Sequence, residues 1–406
     1  MLSQEIEERL AEVLVDRIEE VNSYIMKQVG KTIKEISTLK PSDAYRLGQI
    51  IKYGGSYEKI AKELARITGK NVQDIYKIFE EVAKNNKQFA KDFYKYRGVD
   101  YIPYAKDLGL KYQVNSLATL TANTYMNISN TRGIGYLVEG LDGKLRFRDI
   151  QSAYNEIIDK AIIGISQGKT TFQEEMRNIL KQVGNNGLVM YESGRVRRLD
   201  SAVRMNILDG IRQLNIETTK RFGSEYGADG VEISVHANPA PDHADIQGRQ
   251  FSNTEYDILE NGGIAKDVKG IKYDGSEKRH IGEYNCYHKI FAIVLGVSKP
   301  EYSDEELKAI KEQNEKGFDY NGKHYTMYEG AQLQRSLELQ IRKEKDTQIL
   351  ARASGFDDLA QESQAKINIL TKEYDRLCKT SGLLPKKQRM SVSRVFKNCY
   401  KKINMI

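Results

Sequence analysis

The sequence has few cysteines, few prolines and no long apolar run. Its three cysteines, Cys286, Cys378 and Cys399, are too few for a disulfide framework in 406 residues, which fits folding in a reducing cytoplasm. The longest apolar stretch, Phe291 to Val297, is far shorter than the roughly 20 residues that span a bilayer, and early glutamates interrupt any apolar signal segment. We therefore expect neither a membrane span nor export. The scarcity of proline favours helix.

Basic residues are concentrated towards the end of the sequence. Nine of the 63 basic residues, and no acidic residue, lie between Arg376 and Ile406. The rest of the chain therefore carries 54 basic and 56 acidic residues. Seven of the nine are candidates for contact with DNA or an acidic partner: Lys386, Lys387, Arg389, Arg394, Lys397, Lys401 and Lys402. The alternative is a helix end that packs in part, because Val392, Phe396 and Tyr400 recur every four residues.

Residues 1–228 show the periodicity of amphipathic helices. Ile6, Leu10, Leu14 and Ile18 recur every four residues between charged ones, which predicts a long first helix with one buried face. Later helices are predicted over Pro41–Tyr53, Tyr57–Thr68, Val72–Asn85, Asp149–Gly168, Thr171–Val183 and Leu199–Tyr226. Thr171 and Glu174 form a possible capping box, and Leu188–Leu199 is predicted to be a hairpin.

The period changes to two near Gly230. Val231, Ile233 and Val235 alternate with polar residues, which predicts a strand with His236 on its polar face. Gly248–Ser252 and Ile290–Leu295 are predicted strands as well. After residue 300 helical periodicity returns: Ser303 and Glu306 form a capping box, and Leu333, Leu337 and Ile341 share one face of a long helix, with a break near Gly355 before the next.

Together these patterns predict an α+β fold that is predominantly α-helical, with long helices flanking a small loop-rich β-containing His/Cys module. We predict a mainly helical N-terminal region over residues 1–228, with a hairpin near 188–199. The small β/loop module covers residues 229–300. A helical C-terminal region with the basic tail covers residues 301–406.

The strongest candidate site combines three histidines with a cysteine. His236 and His243 enclose two prolines, which stiffen the loop between them. Cys286 and His288 are two residues apart, so both point the same way in an extended chain. These four side chains are a chemically complete tetrahedral set for zinc, although their spacing is not that of a standard zinc finger.

Other interpretations of this site stay open. Cys286 can be a small buried apolar residue while the histidines hold loop carbonyls by hydrogen bonds. A metal-dependent nuclease would need an open coordination position beside carboxylates, for which Asp242 and Asp245 are available. No complete catalytic motif is present. Gly164 to Thr170 resembles a phosphate-binding loop but has one residue too few and follows an amphipathic helix.

Several short motifs follow one another in a defined order. They are a strand ending in His236, a Pro-x-His step to His243, Gln247-Gly248, Asn285-Cys286-x-His288, and an apolar strand followed by Gly-Val-Ser. Further segments on both sides are Tyr191–Arg198, Tyr302–Leu307, Tyr325–Glu329, Gln334–Glu338, Ile341–Lys345, Tyr374–Cys378 and Lys386–Arg389. From about Gly187 to Arg394 this order resembles the minor capsid protein 2 family of tailed bacteriophages. Ala240 and Tyr287 stand where family members commonly have arginine, which argues against an anion contact at this loop.

The resemblance implies a structural minor capsid protein and not an enzyme. Such a protein is made in the host cytoplasm and enters the virion head near the portal vertex, where it binds the portal and major capsid proteins. It takes part in head assembly or in DNA packaging and ejection, and long amphipathic helices suit docking onto a helical ring. The alternative is a virion-associated zinc-dependent hydrolase or nuclease that uses His236, His243, Cys286 and His288 as ligands.

Overall fold

The computed structural model describes residues 1–40, 42–44, 56–129, 133–139, 143–192, 195–261, 281 and 286–392. Within these residues the fold is α+β and predominantly helical, as predicted. The α-helices are α1 (Gln4–Ser37), α2 (Ser56–Arg97), α3 (Leu108–Ile128), α4 (Ile150–Gln167), α5 (Lys169–Asn186), α6 (Leu199–Glu225), α7 (Asn253–Glu260), α8 (Asp304–Lys316), α9 (Met327–Ser354) and α10 (Asp357–Ser381).

The strands form three small antiparallel sheets. They are β1 (Ile134–Glu139), β2 (Leu145–Asp149), β3 (Val189–Glu192), β4 (Arg195–Arg198), β5 (Gly230–Ile233), β6 (Gln250–Ser252), β7 (Ile290–Ile293), β8 (Phe318–Tyr320) and β9 (Lys323–Tyr325). The strand orders are β2-β1-β3-β4, β6-β5-β7 and β8-β9. The predicted hairpin over Leu188–Leu199 is confirmed as β3 and β4.

Helix boundaries follow the capping chemistry in most places. Ser303 accepts a hydrogen bond from the Glu306 backbone N–H, and the Glu306 carboxylate accepts one from Ser303, so this predicted capping box is confirmed. Gly355 ends α9 with φ of 79°, at the predicted break. The predicted box of Thr171 and Glu174 is wrong, because α5 begins at Lys169 with Gly168 as its N-cap.

α2 is continuous where the sequence predicts two helices, Tyr57–Thr68 and Val72–Asn85. Asn71 lies in the predicted gap, fully buried; its side chain accepts a hydrogen bond from Arg17 (2.6 Å) and donates one to the Tyr125 hydroxyl (2.8 Å). These long-range bonds hold the helix through a stretch with weak local preference for helix. The predicted helix over Pro41–Tyr53 lies outside the described residues except for helical residues 42–44.

Three apolar clusters lie beneath these elements. The largest is formed by α1 to α6 with β1, and it also takes in Leu350 of α9 and Leu359 of α10. The second lies under the sheet β6-β5-β7 and, apart from Ile216, falls within residues 229–300. The third joins the β8-β9 hairpin to α9 and α10. The second cluster is therefore the core of the predicted His/Cys module.

Candidate metal centre

Strand pairing places the histidine and cysteine segments side by side. β5 is the middle strand of its sheet, and Ile233 at its end lies opposite Ile290 at the start of β7. Because the two strands are antiparallel, the residues after β5 approach the residues before β7. Ser234 extends the pairing by donating its N–H to the carbonyl of Lys289 (2.8 Å). His236 therefore comes close to Cys286 and His288.

The loop after His236 folds back onto the same sheet. Pro241–His243 forms a 3-10 turn, and the Gly248 N–H then donates to the carbonyl of Ile233 (2.7 Å). Gly248 has φ of +70°, and a Cβ atom there would lie 2.8 Å from the side chain of Val235, so this turn requires glycine. The return of the loop brings His243 and Gln247 to the cysteine segment.

His243, Cys286 and His288 converge on one point. Cys286 Sγ lies 3.5 Å from His243 Nδ1 and 3.3 Å from His288 Nδ1, and one potential ligand atom from each residue lies within 4.8 Å of the other two. The three side chains are buried, with exposed fractions of 2, 5 and 1%. Among the residues that the structure describes, this is the one group of three or more potential ligands with this geometry.

The second nitrogen of each imidazole lies near an oxygen atom. His288 Nε2 is 3.4 Å from the side-chain oxygen of Gln247, and His243 Nε2 is 3.9 Å from the carboxylate of Asp242. An oxygen acceptor near Nε2 favours the tautomer that carries its proton there. In that tautomer the Nδ1 lone pair of His288 faces the sulfur of Cys286. The distance of 3.9 Å between His243 Nε2 and Asp242 is longer than a hydrogen bond.

His236 lies beside the three converging residues and not among them. Its ring centroid is 4.4 Å from that of His288, at an interplanar angle of 49°. Burial lowers the pKa of His236 to about 4, and the charges of His243, Arg212 and Arg335 act in the same direction. The imidazole is therefore neutral near pH 7. Of the four predicted ligands, the structure brings three together and gives the fourth a packing position.

Tyr287, between Cys286 and His288, lies among cations from distant helices. Arg212 of α6 places its guanidinium carbon 4.5 Å from the ring centroid, and Arg389 donates to the hydroxyl at 3.4 Å. Burial favours a higher pKa for Tyr287, but the charges of Arg389, Arg335 and Arg212 outweigh it and lower the pKa. The expectation that no anion is bound at this loop stays a prediction, and the structure adds that arginines from other elements lie around Tyr287.

Three of the predicted basic contact residues bind acidic groups within the chain. Lys386 and Arg389 lie 2.9 Å and 3.1 Å from the Glu8 carboxylate, and Lys387 lies 3.3 Å from Asp375. Arg389 is buried, whereas Lys387 is largely exposed. The other predicted contacts, Arg394, Lys397, Lys401 and Lys402, lie outside the described residues.

The three converging ligands are enclosed by the described residues around them. All three are buried, and the nearby carboxylate of Asp245 forms an ion pair with Lys311 (2.8 Å) away from them. The enclosed arrangement can hold an ion or a hydrogen-bonded cluster, and in either form it ties the loop after β5 to the entry of β7. Either form links the two loops and so stabilises the module.

The chain is thus a mainly helical protein with a small module built around buried histidine and cysteine, and no helix among the described residues is long and apolar enough to cross a membrane. A family model described as Phage minor capsid protein 2 matches residues 4–376, and the chain belongs to this family. The predicted resemblance is confirmed and extends to the N-terminal helices. Searches of curated proteins and of solved structures found no match.

Proposed function

We propose that this chain is a minor head protein that binds the portal and major capsid proteins and takes part in head assembly or in DNA packaging and ejection. The observation that carries the proposal is the family match over residues 4–376, because it assigns the chain to phage capsid proteins. The protein would be made in the host cytoplasm and would end in the virion head, near the portal vertex. Long helices with exposed faces suit attachment to a ring of helices.

The outward face of α3 supports docking onto another head protein. Leu108, Tyr112 and Leu120 share this face, with exposed fractions of 76, 77 and 65%. None of the exposed positions of α3 carries a charge, and Lys111, its one charged residue, is half-buried. Exposed apolar side chains on one face of a helix are typical of contact sites between proteins. An uncharged face fits an apolar partner surface, and we assign the portal to it.

Co-expression with the portal protein of the same phage tests this assignment. We expect the wild-type chain to co-purify with portal rings, and the double variant Tyr112→Asp/Leu120→Asp to co-purify at least about tenfold less, because two carboxylates would be buried without partners. The matched control is Ile369→Asp on α10, which is equally exposed and should leave capture unchanged.

The outcomes of this experiment distinguish the role of α3 from portal binding in general. All three proteins should melt at similar temperatures, since the changed side chains are exposed. Equal capture of the double variant and the wild type would contradict the assignment to α3. Failure of the wild-type chain to bind portal rings at all would contradict portal binding itself.

We propose that basic residues near the end of the sequence contact packaged DNA. Lys386 and Arg389 bind Glu8 and are largely covered, whereas Lys387 is mostly exposed although it pairs with Asp375. The contact therefore falls to Lys387 and to Arg394, Lys397, Lys401 and Lys402. Lysine and arginine release counterions when they bind phosphates, so affinity for a DNA duplex should fall steeply between about 50 and 200 mM salt. Fluorescence anisotropy measures this, and binding that is absent or insensitive to salt would contradict the proposal.

A zinc-dependent hydrolase or nuclease is less well supported. The family is structural, and the three ligands lie at exposed fractions of 5% or less. A catalytic zinc keeps a coordination position that a substrate can reach. We therefore propose no enzymatic activity for the His/Cys module.

A further inference from the structure

We propose that His243, Cys286 and His288 bind one zinc ion through Nδ1, Sγ and Nδ1. The donors are two neutral imidazoles and one thiolate, which are the ligands that zinc prefers. This inference goes beyond the role in the phage head and does not depend on it.

The distances within the cluster fit a tetrahedral ion. Zinc lies about 2.3 Å from a thiolate sulfur and about 2.0–2.1 Å from an imidazole nitrogen, so a sulfur and a nitrogen bound to one tetrahedral zinc are about 3.6 Å apart. The observed distances from Cys286 Sγ are 3.5 Å to His243 Nδ1 and 3.3 Å to His288 Nδ1. Both sulfur–nitrogen distances are therefore close to those of a shared ion, and all three ligand atoms lie within 4.8 Å of one another.

A cation accounts for both short distances at once. When neither Nδ1 atom carries a proton, a neutral Cys286 can donate its single proton to only one of them. A thiolate and two Nδ1 lone pairs can all face a single divalent ion. The oxygen of Gln247 near Nε2 of His288 favours the tautomer that binding requires at this histidine. Metal-bound histidines usually have such a partner on the second nitrogen.

The ion would link two separate segments of the module. His243 comes from the loop after β5, whereas Cys286 and His288 come from the segment that enters β7. The apolar cluster beneath the sheet is small, so a metal that crosslinks two loops adds stability that packing alone does not supply. His236 is outside the ligand set, since its ring packs against the ring of His288.

Zinc content of the full-length, untagged chain is the first test. We expect about one zinc per chain by mass spectrometry after purification without chelator. Cys286→Ser and His243→Gln should each retain less than about a tenth of this amount. Three matched variants should retain all of it: Cys378→Ser, a buried cysteine in another cluster; His324→Gln, an exposed histidine; and His236→Gln.

Two further measurements guard against variants that fail to fold. Cobalt loaded into the wild-type chain should show a thiolate-to-metal charge-transfer band, and Gln247→Ala should weaken zinc affinity by about 10–100-fold through the loss of its support for His288. A wild-type chain that contains no zinc, shows no cobalt band and melts at the same temperature with chelator would overturn the proposal. Full zinc content in Cys286→Ser would overturn it too, and loss of zinc in His236→Gln would overturn the three-ligand set.

Discussion

The carboxylate of Glu19 is buried in the middle of the molecule. Arg198 lies 3.6 Å from it and also binds Asp346 at 2.9 Å, and Arg342 lies nearby as a partner of Asp200. Burial and the nearby charge of Asp346 raise the pKa of Glu19 to about 7, although Arg198 and Arg342 oppose the shift. Burial raises the pKa of Asp346 as well. Both carboxyl groups therefore bind protons more tightly in the folded chain than in the unfolded one.

This shift predicts how stability depends on pH. Between the unfolded pKa near 4.5 and the folded pKa near 7, the native state holds more protons, so the free energy of unfolding falls as pH rises. Replacing Glu19 by glutamine removes the ionisation, and Glu19→Gln should be more stable than the wild type above pH 7 by about 1–3 kcal/mol. Below pH 4.5 the two should unfold alike. Urea unfolding from pH 4.5 to 8 measures the difference.

Glu305→Gln is the matched control for this prediction. Glu305 is exposed on α8, and its replacement should change stability by less than about 0.5 kcal/mol at any of these pH values. If Glu19→Gln is less stable than the wild type at pH 8, the buried carboxylate contributes as an ion to its network and the interpretation is wrong.

Residue type predicts the candidate site better than it predicts the surroundings. Histidine and cysteine are scarce, so their grouping in the sequence points to His236, His243, Cys286 and His288, and the structure brings three of these four together. The fourth predicted ligand, His236, could not be excluded, because its side-chain direction depends on where the strand ends. Arg212 and Arg389 could not be predicted either, since they reach Tyr287 from α6 and from beyond α10 and leave no local motif.

At the scale of helices, close packing depends on glycine where α5 meets α9. A Cβ atom at Gly184 would lie 2.5 Å from the Cα atom of Thr347, a contact that only movement of the backbone can relieve. Gly69, in the middle of α2, has open space around its missing Cβ. Adding a side chain should therefore have opposite effects on stability at these two positions, although both lie in helices.

Substitution of each glycine by alanine tests this contrast. Gly184→Ala should lower the free energy of unfolding by about 1–3 kcal/mol, because the α5–α9 contact must open. Gly69→Ala should raise it by about 0.5–1 kcal/mol, because alanine favours helix and nothing obstructs it. Chemical denaturation of both variants gives the two values. Similar effects at both positions would show that helix preference, and not the α5–α9 contact, decides the outcome.

Apolar periodicity is clear in the sequences of α1, α4 and α10, which the sequence predicts correctly. α6 is also predicted, although its buried residues lie on all sides of the helix and its faces differ little. α3 was not predicted because its outward face carries leucine and tyrosine among asparagine and threonine, which weakens the contrast between faces. The edge strand β2 was not predicted either, because only part of it is covered by neighbours.

At the scale of the whole molecule, the two helical regions are joined by contacts that no sequence pattern reveals. α9 packs against α1, α5 and α10, and Asn22 of α1 donates to Asp346 of α9 at 3.1 Å. The predicted boundaries at residues 228 and 300 describe where the sequence pattern changes. They remain predictions, but the N-terminal and C-terminal helices share one buried ion network.

Reconstruction of the phage portal vertex without imposed symmetry tests the central claim most directly. α1 and α2 have 34 and 42 residues, so they should appear as rods of about 50 and 60 Å beside the portal, with α3 facing the ring. We expect this density in mature heads. Heads that lack the chain, or that carry it only at sites remote from the portal, would contradict it.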